Sequence, residues 1–127
     1  MIVAGVGSRS DISADDLEQI VRLALERFAV PSERLEALAT ETGKAAEPAY
    51  VEAAQRLAVR LVPCTLADLD RVGGAVLTPS RLVQETKGVP SIAEASALVA
   101  AGRNACLLGA RVATDKATCA LAVGDGS

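Results

Sequence analysis

Residues able to do chemistry gather in three short stretches. The first is Gly5-Val6-Gly7-Ser8-Arg9-Ser10-Asp11, which follows the apolar run Met1-Ile2-Val3-Ala4 and precedes a helix opened by Ser13. A strand, a glycine turn and a helix start place backbone N–H groups and Arg9 at one point, and such points attract anions. The Gly5 and Gly7 amides, Ser8 and Arg9 are therefore predicted to hold carboxylates or phosphates. A tight turn without a ligand is the other reading of the same residues. The stretch departs from a dinucleotide fingerprint: G-x-G-x-x-G needs glycine at position 10, where Ser10 stands. Neither Glu36 nor Glu41 closes a second strand at the spacing a ribose would require.

The second stretch is Thr40-Glu41-Thr42-Gly43-Lys44-Ala45-Ala46-Glu47-Pro48. It falls where a strand should end and a helix begin. Lys44 can neutralise an anionic ligand, and Glu47 can act as a general base or orient a water molecule. Read without a ligand, Glu47 is a helix-start carboxylate and Lys44 a solvated loop residue. The third stretch is Thr78-Pro79-Ser80-Arg81. Ser80 either binds a ligand carboxylate or caps the following turn. Arg111 and Lys116 bracket the final loop, and each reads as a surface charge when taken alone.

The chain contains no histidine. Ser80 thus lacks the commonest activating base, and a metal lacks its commonest ligand. Cys64, Cys106 and Cys119 sit apart in apolar, strand-like stretches and read as buried, inert thiols. No metal site and no cofactor are expected from them.

These loops need elements to position them, and helical and strand patterns alternate along the chain. Leu17, Ile20, Val21, Ala24 and Phe28 share one helical face, with Ser13 and Asp16 as a capping-box-like start and Pro31 as the stop. Residues 35–40 read as a second strand. Glu47-Pro48 opens a helix reaching about residue 58, with proline at its first turn. Residues 59–64 read as a third strand. Thr65 with Asp68 starts a short helix that Gly73-Gly74 ends. Residues 75–77 read as a strand or an extended link, and a helical piece then reaches residue 86. Ser91 with Glu94 caps a further helix closed by Gly102. Residues 104–108 and 117–123 read as strands joined by a turn near Thr114-Asp115-Lys116. This order predicts a three-layer α/β/α sandwich. Its sheet would be mostly parallel (mixed), with about five strands and a C-terminal hairpin. Residues 1–123 form one α/β domain in this reading, and 124–127 a flexible tail. Ligands in such folds sit outside the carboxyl ends of the strands, where the three stretches should meet.

Composition narrows the function classes. The 127 residues carry a net charge of −3 and only two aromatic side chains, Phe28 and Tyr50. That leaves no stacking platform for single strands and no basic stripe for duplexes, so no nucleic-acid partner is expected. No apolar run approaches the roughly 20 residues that cross a bilayer, and the start lacks a signal-peptide pattern. A cytoplasmic protein with reduced thiols is expected, away from membranes. Its alanine-rich helices could pack against a twin chain as a homodimer.

Taken in order, the stretches resemble the cobalamin-biosynthesis family of stand-alone CobE proteins and the C-terminal domain of CbiG. Gly5-Val6-Gly7-Ser8-Arg9 is similar to the family's G-[IVL]-G-x-R opening. Ala39-Thr40 through Lys44-Ala45-Ala46-Glu47 is similar to its A-[ST]-x-x-x-K-x-x-E segment. Pro79-Ser80-x-x-Val83 and Gly88-Val89-x-Ser91-Ile92-Ala93-Glu94-Ala95 look like P-S-x-x-V and G-V-x-S-V-A-E-A. Thr118 to Ala122 matches the T-x-A-[VIL]-A ending. Two departures stand out. Ser8 replaces a frequent cysteine, and Arg111 and Ala113 occupy positions where two lysines are frequent.

The resemblance implies a role in corrin-ring synthesis, where CbiG opens a lactone on a cobalt-precorrin and a two-carbon fragment leaves as acetaldehyde. The stand-alone proteins belong to the aerobic, late-cobalt route. The implied ligand is a precorrin or corrinoid fringed with carboxylates. Gly5, Gly7, Ser8, Arg9, Thr40, Ser80 and Arg111 would hold it, and Glu47 and Lys44 would be the catalytic pair of a hydrolase. Two other readings stand beside it. One is a non-catalytic partner or carrier of a precorrin methyltransferase, docked on other enzymes of the pathway. The other is a nucleotide-binding α/β domain.

Overall fold

The computed structural model describes residues 1–9, 11–72 and 92–126. Expectations for 73–91, among them Ser80, the 75–77 strand, the following helical piece and the Ser91 cap, lie outside the described residues, as does Ser10.

β1 (Ile2–Ser8) is the centre of the sheet. It pairs in parallel with β2 (Leu35–Glu41), which pairs in parallel with β3 (Arg60–Cys64). On its other side β1 pairs antiparallel with β6 (Ala117–Val123) over the full strand, from Ile2 opposite Val123 to Ser8 opposite Ala117. Two short strands share the far edge of β6: β4 (Cys106–Leu107) opposite Val123 and Ala122, and β5 (Val112–Ala113) opposite Cys119 and Thr118. The expected hairpin is thus β5–β6, with the Thr114 N–H on the Ala117 carbonyl and the Ala117 N–H on Thr114 Oγ1. The sheet is α/β and mixed, with six strands among the described residues where about five were expected. The edge strand is interrupted at 108–111, and Gly109 faces the Phe28 ring there: a β-carbon on it would lie 2.6 Å from a ring carbon.

Helices cover both faces. α1 (Ala14–Arg27) starts where predicted, with the Asp16 N–H donating to Ser13 Oγ at 3.1 Å. Its end is not set by Pro31. Ala29 adopts a left-handed φ of 55°, and the Val30 N–H returns to the Leu25 carbonyl at 2.8 Å. The chain has therefore left the helix before proline is reached. α2 (Thr42–Ala45) is a single turn in the stretch read as a loop, begun by the Gly43 N–H donating to Glu41 Oε1 at 3.0 Å. α3 (Pro48–Leu57) has proline in its first turn and ends on left-handed Ala58. α4 (Leu66–Arg71) is capped by Thr65, and α5 (Ile92–Ala101) stops at Gly102, φ 82°. No helix among the described residues is long and apolar enough to cross a membrane.

The two sheet faces differ in side-chain size. Toward α1 and α3 the strands present Ala4, Val6, Leu38, Cys119 and Leu121, packed with Leu17, Ile20, Val21 and Tyr50. Toward α4 and α5 they present Val3, Ala37, Ala39, Ala120 and Ala122, packed with an alanine-rich helix. Gly5 lies on that second face. A β-carbon there would stand 2.1 Å from the Ala93 carbonyl oxygen and 2.5 Å from the Ala97 nitrogen. The helix backbone rests directly on the strand, which only glycine permits.

Residues 124–126 of the expected loose tail are tied to the fold. The Gly124 N–H donates to the Met1 carbonyl, Asp125 N–H to that of Arg103 and Gly126 N–H to that of Ala101. The Asn104 amide adds a 2.7 Å bond to the Asp125 carboxylate. Residues 124–126 therefore close the sheet end opposite the candidate site.

Candidate functional site

The carboxyl ends of β1, β2 and β3 bring Ser8, Thr40, Glu41 and Cys64 to one edge of the sheet. Ser8 is the last residue of β1, and its hydroxyl makes a short hydrogen bond with the Tyr50 hydroxyl from α3. Thr40 is fully buried, and its hydroxyl donates to the Val6 carbonyl at 2.7 Å. The Thr40 side chain also acts on the Tyr50 phenol, favouring its ionised form. Three hydroxyls from two strands and a helix thus gather in one cluster.

The turn that follows β2 carries the charges. Thr42 Oγ1 donates to the Cys64 carbonyl at 3.0 Å, tying α2 to the end of β3. Lys44 Nζ then lies 3.8 Å from Glu47 Oε2, with the two side chains 18 % and 28 % exposed. Glu47 sits at the N-cap of α3 without capping it through its side chain. Its carboxylate is close enough to Tyr50 to add to the upward shift of the phenol. Burial is the larger cause of that shift, and the Ser8 and Thr40 side chains oppose it. Tyr50 therefore stays protonated at neutral pH.

On the opposite face the first turn of α5 meets the same strand end. A β-carbon on Gly7 would lie 3.2 Å from Thr118 Oγ1 and 3.4 Å from Ile92 Cβ. Glu94, in the first turn of α5, is completely buried. Burial raises the Cys64 thiol to about 11 and the Cys119 thiol to about 12, which keeps both protonated and unreactive. Cys106 departs from the expected burial: it is exposed on the edge strand β4. No group of three cysteine, aspartate or glutamate side chains among the described residues could hold a metal ion.

The family described as "Cobalamin synthesis G C-terminus" matches residues 2–122. The chain belongs to that family. It is 32% identical over 121 residues to Protein CobE of a Sinorhizobium species, covering 95% of this chain and 79% of that protein. A crystal structure of CobE, a protein from the cobalamin (vitamin B12) biosynthetic pathway, superposes with a TM-score of 0.91 at 32% identity. The match covers 100% of this chain and 92% of the other. The cobalamin biosynthesis protein chiG from Agrobacterium tumefaciens gives a TM-score of 0.78 at 32% identity, over 98% and 99% of the two chains. A cobalamin biosynthesis protein G homologue from Sulfolobus solfataricus gives 0.76 at 26% identity, with 98% of this chain covering 37% of that longer one. The chain is a cobalamin-biosynthesis protein of this kind.

Within this cobalamin-biosynthesis fold the expected site residues separate into groups. Ser8 and Thr40 meet at Tyr50, and Lys44 and Glu47 pair beside them. Arg9 follows Ser8 and is exposed. Gly5 and Gly7 are not in a turn: both are strand residues, opposite Ala120 and Thr118 of β6. Their lack of side chains makes room for α5, and Gly5 is fully enclosed by its neighbours. Gly5 consequently offers no amide to a ligand. Arg111 precedes β5, beyond β6. Three strand spacings separate β5 from β2, roughly 14 Å. Ser80 lies outside the described residues. Tyr50 is the member that the sequence reading missed. Its signal was available: it follows Glu47 by three residues on the helix that opens at the site, and it is the chain's one tyrosine.

Proposed function

We propose that the chain binds, and acts on, a precorrin-type tetrapyrrole at the carboxyl ends of β1 and β2. The observation that supports this most is the junction of the Ser8–Tyr50–Thr40 hydroxyl cluster with the Lys44–Glu47 pair, next to exposed Arg9, in a member of a cobalamin-biosynthesis family. A macrocycle fringed with carboxylates needs cations that can be reached without dismantling the fold. Lys44 lies on the turn after β2, 3.8 Å from Glu47 and part-exposed, where a ligand carboxylate can reach it. Glu47 is the acid/base residue of this reading, because the thiols and the phenol nearby stay protonated. The free thiols suit a cytoplasmic setting.

Spectroscopic titration with hydrogenobyrinic acid tests the reading. A saturable change at micromolar protein is expected, and Lys44→Ala and Arg9→Ala should each weaken it by roughly three- to tenfold. Acetaldehyde release from a lactone-bearing precorrin, lost in Glu47→Gln, would support turnover. A flat titration removes the binding claim, and unchanged affinity in both cation variants moves the site elsewhere.

A further inference from the structure

The turn between β5 and β6 stands at the same end of the sheet as the candidate site. Ala117, the first residue of β6, is opposite Ser8, the last of β1. Residues paired in this way have Cα atoms about 4.5–5.5 Å apart. Lys116 comes one residue earlier, and its backbone is pinned. Thr114 Oγ1 accepts from the Lys116 N–H at 3.3 Å and from the Ala117 N–H at 3.2 Å. The lysine side chain leads to the first turn of α1, where Nζ lies 3.5 Å from Asp16 Oδ2. α1 covers the same sheet face as α3, the face that carries Tyr50. Two lysine–carboxylate pairs therefore flank the Ser8–Tyr50 contact: Lys44 with Glu47 beyond β2, and Lys116 with Asp16 beyond β6.

We propose that Lys116 is a second carboxylate-binding residue, and that the ligand lies across the ends of β2, β1 and β6 with one carboxylate toward Lys44 and another toward Lys116. This rests on the tetrapyrrole reading above and adds an orientation to it. β2 and β6 are two strand spacings apart, roughly 10 Å. A macrocycle with acid side chains around its rim presents carboxylates at such a separation, and a small acid with one carboxylate does not. The Lys116 side chain is 60 % exposed, so a ligand reaches it without any change in the fold. Asp16 holds the ammonium at the helix start, but its charge has the same sign as the ligand's and opposes a carboxylate arriving there. Removing the lysine and removing the aspartate should therefore move binding in opposite directions.

The test titrates hydrogenobyrinic acid into the wild-type protein, Lys116→Gln, Lys116→Arg, Asp16→Asn, Lys44→Ala and the double variant Lys44→Ala/Lys116→Gln. Far-UV circular dichroism confirms the fold of each. Lys116→Gln should weaken binding by about two- to fivefold, and Lys116→Arg should restore most of it. Asp16→Asn should leave the affinity unchanged or tighten it by up to about twofold. Two separate carboxylates require the losses in Lys44→Ala and Lys116→Gln to multiply in the double variant, to within about twofold. If Lys116→Gln and Asp16→Asn weaken binding alike, the pair only shapes the turn and the inference is overturned. A double variant no weaker than Lys44→Ala alone overturns it as well. So does an unchanged affinity in Lys116→Gln, and a loss in Lys44→Ala would then leave the tetrapyrrole reading standing. Failure of the wild-type protein to bind the ring removes that reading itself.

Discussion

Replacing Tyr50 by phenylalanine isolates the hydroxyl cluster from the core that surrounds it. Tyr50 is fully buried, and its ring packs in the cluster that includes Leu17, Ile20, Val21 and Leu38. Phenylalanine keeps that ring, so no cavity of the kind left by truncation to alanine forms; that would cost about 3–5 kcal/mol. What disappears is the hydroxyl, with its bond to Ser8 and the influence of Thr40. Thr40 keeps its 2.7 Å bond to the Val6 carbonyl, so no buried donor is orphaned. Ser8 is only partly buried and can take water. A lost bond of this kind is then worth about 0.5–1.5 kcal/mol net, and Tyr50→Phe should destabilise by about 1–2 kcal/mol. Ser8→Ala breaks the same bond and should lose about 1 kcal/mol. Because the bond between them can be lost only once, the double variant should be less damaged than the sum. A coupling of about 0.5–1 kcal/mol is expected. Urea unfolding followed by far-UV circular dichroism, at constant m, measures all four corners of the cycle. Additive effects within about 0.3 kcal/mol would refute the connection between Ser8 and Tyr50.

Gly5→Ala should destabilise by at least about 2 kcal/mol, since its β-carbon would stand 2.1 Å from a backbone carbonyl that has no freedom to move alone; a melting temperature within 2–3 °C of wild type, against roughly 4 °C or more per kcal/mol, would show that α5 does not rest on β1. Alkaline pH should unfold the protein steeply. Cys64 and Cys119 keep their protons to about 11 and about 12 when folded, against 9.0 otherwise, so their contribution is complete below pH 9 and is lost as pH rises through the folded values. Between pH 9 and 11 each thiol should remove about 1.4 kcal/mol per pH unit, and Cys119→Ala should roughly halve that slope in urea titrations under reducing conditions. Glu47→Gln should lower the ionisation midpoint of Tyr50, read as tyrosinate absorbance from the chain's one tyrosine, because it removes a like charge that raises it; an unchanged midpoint would separate Glu47 from the cluster.

Helix starts and strands were legible where a local rule decides them. Ser13, Thr65 and the Glu47-Pro48 pair open helices through caps and prolines that act within one turn. The end of α1 was not legible, because Ala29 takes a left-handed conformation that its side chain does not announce. The two glycines were misplaced for a related reason. G-x-G after an apolar run reads as a turn, but here the missing side chains answer to a helix that arrives from residues 92–101, far along the chain. The spacing of three places Tyr50 beside Glu47, but its bond to Ser8, forty-two residues away, follows from no spacing rule. Lys44 and Glu47, by contrast, are three apart, and their pairing follows from sequence distance alone.

The two faces of β1 divide the work at the site. On one, glycine and alanine let α5 approach until its first turn meets Gly7, which fixes that strand end in place. On the other, larger side chains of the strands pack with α1 and α3. Tyr50 of α3 reaches the strand end with its hydroxyl, where it meets Ser8. A shorter side chain at 50 would leave Ser8 without that partner, and a β-carbon at 5 would displace the helix behind them. The hydroxyls are therefore held by packing on both sides, before any ligand arrives. In a chain without histidine, these hydroxyls and the Lys44–Glu47 pair are the groups on which the proposed ligand reading rests. Burial separates the two groups: Tyr50 and Thr40 are enclosed, and Glu47 is part-exposed.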